Sequence, residues 1–255
     1  IEDAKREAID NILELGQLKE DGSLKGLIVT GCLAERYANE VIDEMPEIDA
    51  VVGIGANEDI VDVVNRVIDG EGGISKFADK DKLDMDSDRI LASPRYTAYL
   101  RIADGCDNCC TYCTIPFIRG RFRSRTMESV IDEAKRLALR GVKELVVIAQ
   151  DTTRYGEDLY GELKLAELLR KLCEVDGIEW IRILYAYPDR ITDELIETMA
   201  SESKIMNYID IPLQHCNGEI LAAMNRHGDR KSLTELIAKI RKKMPDVALR
   251  TTFIT

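Results

Sequence analysis

Four cysteines lie close together in the segment DGCDNCCTYCTIP, residues 104–116 of this 255-residue chain. They are Cys106, Cys109, Cys110 and Cys113, and the whole chain has seven cysteines. In a chain without the cysteine density of a disulfide-rich protein, this clustering favours metal binding or redox chemistry, because thiolates are soft ligands for zinc and iron. A buried apolar turn that contains four cysteines by chance is the less favoured interpretation.

The spacing allows three kinds of metal site. Two Cys-x-x-Cys pairs would suit zinc, although structural zinc sites usually separate their pairs by a longer spacer. A two-cluster ferredoxin pattern would need more cysteines nearby. The third arrangement takes Cys106, Cys110 and Cys113 as C-x3-C-x2-C and leaves Cys109 outside the ligand set. Three thiolates on a four-iron cluster leave one iron open, and an open position is typical of a catalytic metal centre.

The segments around the cysteine loop alternate between short apolar runs and amphipathic patterns, which predicts an α/β fold. Before the loop, the predicted strands KGLIVTGCL and DAVVGIG alternate with helical segments, among them AERYANEVIDEM and NEDIVDVVNRVIDG. From residue 97 at least five strand–helix units follow, and the first strand is TAYLRIA. Such repeats fit a full or partial TIM-type barrel, whose functional residues lie at the C-terminal ends of strands. The cysteine loop directly follows TAYLRIA and is therefore expected at the catalytic rim.

These patterns divide the chain into three parts. We expect residues 1–75 to form part of one α/β domain, the Gly-rich and then charge-rich residues 76–95 to be a linker, and residues 96–255 to form the barrel domain. The chain starts without Met inside a helical pattern and stops inside the predicted strand VALRTTFI. We therefore expect it to be a fragment cut at both ends.

The composition limits the class of protein and its partners. With 45% hydrophobic and 32% charged residues the chain is typical of a globular protein, and no apolar run approaches the ~18 residues that span a bilayer. No signal-peptide pattern is present, so a cytoplasmic location without membrane contact is predicted. The net charge of −12 favours a basic protein partner over a phosphate backbone.

The motifs on and after the cysteine loop resemble those of the radical S-adenosylmethionine (SAM) superfamily. C-x3-C-x2-C has an aromatic residue, Tyr112, before its last cysteine and follows the first barrel strand. The later segments CTIPFIRGRFRSR, GVKELVVIAQDTTRYG and DIPLQHCNGEILAAMNR resemble the methylthiotransferases of that superfamily, over essentially all of residues 97–255. The resemblance implies a partial (β/α) barrel of the radical SAM kind, preceded here by part of a flavodoxin-like α/β domain.

The resemblance also implies the cofactors. Cys106, Cys110 and Cys113 would hold a SAM-binding 4Fe–4S cluster. The segment IVTGCLAERY resembles the stretch that carries one ligand of a second, auxiliary 4Fe–4S cluster, and this ligand corresponds to Cys32. The other two auxiliary ligands, and an RNA-binding-type C-terminal domain, belong to parts of the family pattern that this chain lacks. The full-length protein would therefore carry two clusters and bind SAM.

Two branches of the methylthiotransferases differ in substrate. The Gln-Asp-Thr of AQDTTRYG, residues 149–156, is typical of the branch that modifies the β-carbon of an aspartate in a small-subunit ribosomal protein. The branch that modifies an adenosine in tRNA typically has Gln-Asn. The resemblance thus implies a transferase that uses a 5′-deoxyadenosyl radical, a sulfur-donating auxiliary cluster, an electron donor and a ribosomal protein substrate, with RNA contact through the absent domain. The alternatives are the tRNA branch and a non-catalytic zinc- or iron-binding module.

Polar residues at predicted strand ends supply the remaining candidates, and none is assigned as a catalytic acid or base. The resemblance and their rim positions suggest these cofactor-binding residues: Tyr112, Gln150, Gln214 and Arg250. The substrate-binding candidates are Asp151, Thr152, Tyr155 and Arg123. For Arg250 the alternative to a SAM carboxylate contact is an ion pair inside the barrel.

Arginines alternate after the cysteine loop at positions 119, 121, 123 and 125. In an extended segment this alternation would place all four on one side, where they could steady SAM or the substrate carboxylate. A solvated charge run is the alternative. His215 is expected to be a hydrogen-bonded structural residue, and Cys173, in an amphipathic helix, is expected to pack in the core.

Overall fold

A computed structural model describes residues 2–86, 89–92 and 94–254, apart from the side chain of residue 39. The chain divides into two compact units. The first contains Ile1–Asp84 and Thr114–Gly120, and the second contains Met85–Cys113 and Arg121–Thr255. No helix of the described residues is both long enough and apolar enough to cross a membrane.

The first unit is an α/β layer around a three-stranded parallel sheet, in the order β1-β2-β3. The strands are β1 (Ile28–Thr30), β2 (Ala50–Val52) and β3 (Ile74–Lys76). The helices are α1 (Glu2–Glu20), α2 (Cys32–Glu44), α3 (Ile60–Ile68) and α4 (Ile115–Arg119). The first three residues of the predicted helix NEDIVDVVNRVIDG belong to a 3-10 turn, Ile54–Asp59, and α3 begins at Ile60. Gly70 follows the helix with φ +92°, as its sequence position predicts.

The predicted linker, residues 76–95, contains the boundary between the units at Asp84. Before that boundary it forms a 3-10 turn, Lys80–Lys82, and Lys80 pairs with Glu35 of α2 at 3.0 Å. Beyond it, Asp86 pairs with Arg125 at 2.7 Å. Residues 87, 88 and 93 of the predicted linker lie outside the described residues.

The second unit is built on a five-stranded, all-parallel sheet in the order β10-β9-β8-β7-β4. Its strands are β4 (Thr97–Arg101), β7 (Glu144–Ile148), β8 (Trp180–Ile183), β9 (Ile205–Asp210) and β10 (Ala248–Arg250), and a short antiparallel pair joins β5 (Ala103–Asp104) to β6 (Arg123–Ser124). The helices are α5 (Met127–Leu139), α6 (Glu157–Tyr160), α7 (Leu165–Cys173), α8 (Asp193–Ser201), α9 (Gly218–Ala223) and α10 (Arg230–Lys243). Successive sheet strands are neighbours with helices between them, so the predicted partial barrel is confirmed.

Local sequence signals fix the ends of these helices. The Thr126 hydroxyl accepts a hydrogen bond from the Ser129 amide at the start of α5. At the start of α10, Asp229 and Ser232 form a capping box. One face of the sheet is apolar and buried under the helices, with Leu100, Leu145 and Ile181 fully buried. Cys173 packs against this core from α7, as predicted.

Candidate active site

Loops at the C-terminal ends of the strands form the candidate site of the second unit. The cysteine loop follows β5, and further loops follow β7, β8 and β9. Among the described residues, four non-glycine residues have a left-handed backbone, and all lie in these loops or in the turn after α9: Cys109 (φ 49°), Tyr185 (61°), Gln214 (68°) and Asn225 (56°). Because such conformations cost free energy, their concentration at one edge of the sheet indicates a functional constraint there.

The four thiols of the loop differ in their surroundings. Cys106, Cys110 and Cys113 are half-buried, whereas Cys109 is exposed. The pKa of the Cys106 thiol is raised to about 11, chiefly by burial; a backbone hydrogen bond from Asn108 lowers it, and negative charge at Asp151, Cys110 and Cys113 adds to the rise. Across the described part of the chain, no three His, Cys, Asp or Glu side chains converge to hold a single metal ion.

Asn108 connects the cysteine loop to two other loops of the rim. Its side-chain amide donates to Asp151 Oδ2 at 2.9 Å, and its Oδ1 accepts from Arg190 Nη1 at 3.0 Å. Arg190 also pairs with Asp151 at 3.3 Å, and the Thr153 hydroxyl donates to the other oxygen of that carboxylate at 2.6 Å. Asp151 is 1% exposed. Both oxygens of Asp151 are bonded inside the protein, where the side chain anchors the cysteine loop; its predicted substrate contact stays a prediction.

Two more substrate-binding candidates are bonded inside the protein, and their substrate roles stay predictions. Thr152 is fully buried, and its hydroxyl donates to the Leu184 carbonyl at 2.8 Å. Tyr155 is fully buried, and its hydroxyl donates to the Arg125 carbonyl at 3.0 Å. Burial raises the pKa of Tyr155 well above its usual range. Both side chains therefore stabilise the loop after β7 from inside the core.

Gln150, at the end of β7, has the character of a ligand-binding residue. Its Oε1 is buried and has no hydrogen-bond partner among the described residues. A buried acceptor without a donor is costly, so such an atom indicates a water or a ligand that the site receives. The cofactor contact predicted for Gln150 fits this observation and stays a prediction.

The other cofactor candidates also lie on the rim. Gln214 extends the sheet edge, since its amide donates to the Thr252 carbonyl and its carbonyl accepts from the Ile254 amide, both at 2.8 Å. Tyr112 is 37% exposed, and burial of the rest raises the pKa of its hydroxyl to about 12. The roles of Gln214 and Tyr112 toward a cofactor stay predictions. His215 accepts a hydrogen bond from the Asn217 amide at 2.9 Å and is the bonded structural residue that was predicted.

The arginines take several different environments. Arg250 pairs with Asp210 at 2.8 Å, which is the ion pair named as the alternative to a SAM contact.

Arg119 lies in α4 of the first unit, where it donates to Cys32 Sγ at 3.7 Å. Arg123 lies in β6, and Arg125 is 3% exposed, with ion pairs to Asp86 and Glu133. The predicted common face of the alternating arginines is therefore wrong, because α4 and Gly120 (φ +77°) interrupt the extended backbone. The substrate role of Arg123 and the cluster role of Cys32 stay predictions.

One residue within the cysteine loop, Asn108, and three residues that contact the loop were not identified from the sequence: Arg190, Asn225 and Arg226. Asn225 and Arg226 lie in the quoted segment that ends in MNR, yet more than 100 positions separate them from the loop. No periodicity or spacing rule links segments so far apart. The left-handed Asn225 directly after a helix was the one local signal available.

The donor set fits a thiolate-bound iron–sulfur cluster. The three thiols of the C-x3-C-x2-C pattern belong to one loop and are half-buried, the fourth thiol is exposed, and an unsatisfied buried acceptor, Gln150 Oε1, lies on the same rim. Three protein ligands leave one iron of a 4Fe–4S cluster available to a small molecule. A four-thiol zinc site would require Cys109 to join the set.

Comparison with known proteins gives two family matches. A radical SAM superfamily model matches residues 100–255, and the family described as "Uncharacterized protein family UPF0004" matches residues 1–53. Three curated relatives carry the name "Ribosomal protein uS12 methylthiotransferase RimO". They come from Lachnoclostridium phytofermentans (52% identical), Desulforamulus reducens (50%) and Symbiobacterium thermophilum (51%). Each match covers 100% of this chain but 58%, 57% and 52% of the respective relative.

Solved structures resemble the fold of the chain. The radical SAM methyltransferase TsrM from Kitasatospora setae, bound to tryptophan and a SAM analogue, superposes with a TM-score of 0.64 at 13% identity. That match covers 89% of this chain and 49% of TsrM. The cobalamin-dependent radical enzyme OxsB, bound to aqua-cobalamin and SAM, gives a TM-score of 0.65 at 14% identity, over 98% of this chain and 39% of OxsB. At these identities the likeness concerns the fold alone.

Proposed function

The chain belongs to the radical SAM superfamily, and from that premise we propose that the whole protein is a methylthiotransferase that adds a methylthio group to the β-carbon of an aspartate in ribosomal protein uS12. The observation that carries the proposal is the 52% identity, over the whole of this chain, to a relative named for that activity. Because the chain spans just over half of that relative's length, the activity is proposed for the full-length protein.

In this proposal Cys106, Cys110 and Cys113 hold the SAM-binding cluster, and Cys32 contributes one ligand to an auxiliary cluster. A bound 4Fe–4S cluster together with SAM would supply radical chemistry, which the reaction requires because the substrate carbon has no acidic proton. Asn108 and Asp151 hold the cysteine loop against the end of β7. Gln150 offers its unpaired Oε1 to the bound cofactor.

The proposed partners follow from the chemistry. Reduction of the cluster requires an electron donor, and the substrate is a basic ribosomal protein that suits a chain of net charge −12. In this proposal RNA contact comes from residues outside this chain, and the protein works in the cytoplasm, where a ribosomal protein substrate would be found.

Anaerobic reconstitution of this chain with iron and sulfide tests the metal centre. We expect a brown protein with about four irons per chain, as one 4Fe–4S cluster requires. Cys110→Ala should lose the iron, while the matched control Cys109→Ala should keep it, because Cys109 is the exposed thiol. Stoichiometric zinc without iron would instead support the structural module and contradict the proposal.

The substrate is tested with the full-length protein. Incubation with SAM, a reductant and either a uS12 peptide or tRNA, followed by mass spectrometry, should show the mass gain of a methylthio group on the peptide. A gain on the tRNA alone would assign the protein to the other branch and overturn the proposed substrate.

A further inference from the structure

We propose that Asn225 and Arg226, in the turn after α9, are positioning residues for the iron–sulfur cluster. The turn Met224–Arg226, here called the loop clamp, would hold the backbone of the cysteine loop and place a positive charge against the ligand Cys110. The inference rests on the cluster site of the proposed function and adds these two residues to it.

The loop clamp contacts the cysteine loop through its backbone and through the Asn225 side chain. The Thr111 amide donates to the Met224 carbonyl at 3.1 Å. The Asn225 side-chain amide donates to the carbonyls of Asn108 and Cys109, both at 3.1 Å. These contacts bracket Cys110 on both sides along the chain. The clamp therefore fixes the backbone from which one predicted iron ligand projects.

Asparagine suits position 225 for two separate reasons. Its backbone is left-handed (φ 56°), a conformation that glycine and asparagine adopt more readily than other residues. Its short side chain also carries an NH2 group with two donors, and each donor has one loop carbonyl to bond. Glycine would keep the backbone and lose the amide, whereas aspartate would keep the shape and turn an acceptor toward the two carbonyls. Both substitutions therefore remove the amide contacts and leave the backbone conformation accessible, so their effects report on the amide contacts alone.

Arg226 is a buried cation next to the loop. It is 7% exposed, its Nη2 donates to the Pro212 carbonyl at 2.7 Å, and its guanidinium lies 4.2 Å from the centroid of the Tyr187 ring. Its Nη1 donates to Cys110 Sγ at 3.7 Å. In the part of the chain that the structure describes, it has no carboxylate within ion-pair distance.

A buried cation is costly unless a negative charge compensates it. A thiolate-bound cluster provides such a charge at Cys110, and one more electron makes the cluster more negative still. Arg226 is therefore placed to stabilise the bound cluster, and its reduced form most of all. The carbonyl and the aromatic ring hold the guanidinium in that place.

The clamp is tested first without iron, by hydrogen exchange of the peptide that covers residues 105–114 in the apo chain. We expect Asn225→Asp and Asn225→Gly to exchange at least about tenfold faster there than the wild type, because two hydrogen bonds to the loop are lost. Asn207→Asp, an exposed position on β9, is the matched control and should not change. Wild-type exchange in both Asn225 variants would overturn the clamp, and unchanged Trp180 fluorescence would show that the variants are folded.

The charge is tested on the reconstituted chain with Arg226→Met, Arg226→Lys and the exposed control Arg241→Met. One electron from dithionite takes the cluster from the 2+ to the 1+ state, and the paramagnetic resonance signal measures the fraction reduced. We expect a several-fold smaller fraction and a several-fold faster loss of iron to a chelator for Arg226→Met. Arg226→Lys should restore reduction, since it restores the charge.

Failure of this inference is distinguishable from failure of the proposed function. A wild-type chain that binds no iron overturns the metal centre, and with it the role of Arg226. If the wild type binds a cluster and Arg226→Met matches it in reduction and in iron retention, the role of Arg226 is wrong while the metal centre stands.

Discussion

Replacement of Asp151 by Asn should destabilise the second unit, although the two side chains have nearly the same size. The carboxylate is 1% exposed and accepts from Asn108, Thr153 and Arg190 at 2.9, 2.6 and 3.3 Å. Asparagine keeps one acceptor oxygen but turns an NH2 group toward one of these donors. The substitution therefore removes a buried charge and leaves at least one donor unsatisfied.

The size of the effect follows from the surroundings of Arg190. Removing one partner of a buried ion pair costs about 3–5 kcal/mol, and a hydrogen bond to a charged group contributes about 1.5–3 kcal/mol. The Arg190 side chain is 22% exposed and keeps its bond to Asn108, so water and that bond compensate part of the loss. We expect the free energy of unfolding to fall by about 2–4 kcal/mol. With a urea dependence of about 2 kcal/mol per molar, the midpoint should fall by about 1–2 M.

Trp180 makes this measurement specific to the second unit, because it is the chain's one tryptophan and lies in β8. Urea unfolding of the apo protein, followed by its fluorescence, gives the midpoint for Asp151→Asn and for the exposed control Asp246→Asn. In a double-mutant cycle, Asp151→Asn combined with Arg190→Met should lower the free energy of unfolding by less than the sum of the two single substitutions. A free energy of unfolding for Asp151→Asn within about 0.5 kcal/mol of the wild type, which is the usual range for surface substitutions, would refute the anchoring role.

Three further substitutions test the other buried polar groups by the same fluorescence assay. Tyr155→Phe should lower the free energy of unfolding by about 1 kcal/mol, because one buried hydrogen bond is lost. The iron bound per chain after reconstitution should stay unchanged, and a loss of iron would contradict a purely structural role for the Tyr155 hydroxyl. Arg125→Met should lower the free energy of unfolding by about 2–4 kcal/mol, since it removes the buried partner of Glu133. An unchanged free energy of unfolding would show that the ion pairs of Arg125 contribute no stability. Burial, followed by the charge of a nearby glutamate, raises the pKa of Cys173 to about 11 from an ordinary 9.0. The unfolded thiol thus ionises first, and stability falls as pH rises from about 9 to 11. Cys173→Ser should flatten that fall, and an equal fall in both proteins would show that other groups cause it.

The sequence predicted the order of the elements, because that order is a local property. Spacing alone left three kinds of metal site open, and the family resemblance chose Cys106, Cys110 and Cys113; the structure finds these three half-buried and Cys109 exposed, and the ligand set stays a prediction. Apolar runs and amphipathic patterns gave the alternation of strands and helices, since each depends on residues a few positions apart. The position of the cysteine loop at the C-terminal edge of the sheet followed from that alternation.

The roles of the polar residues near strand ends could not be assigned in the same way. Asp151, Thr152 and Tyr155 follow a strand end, as substrate-binding residues of barrels do, yet all three side chains point into the protein. Within a short loop, the direction of a side chain depends on the turn that the loop adopts. That turn is set by contacts with the loop after β8, at Leu184 and Tyr187.

The sequence by itself thus determined the parallel α/β framework and the position of the cysteine loop at its rim, while the choice of three ligand thiols stays a prediction. Only the tertiary structure decided what holds the cysteine loop in place. Asn108 and Asp151 are 43 positions apart, and Asn225 lies 117 positions from Asn108. Contacts over such separations depend on the order and register of five strands and on the helices between them. No local pattern contains that information, because the strands meet only when the whole unit has folded.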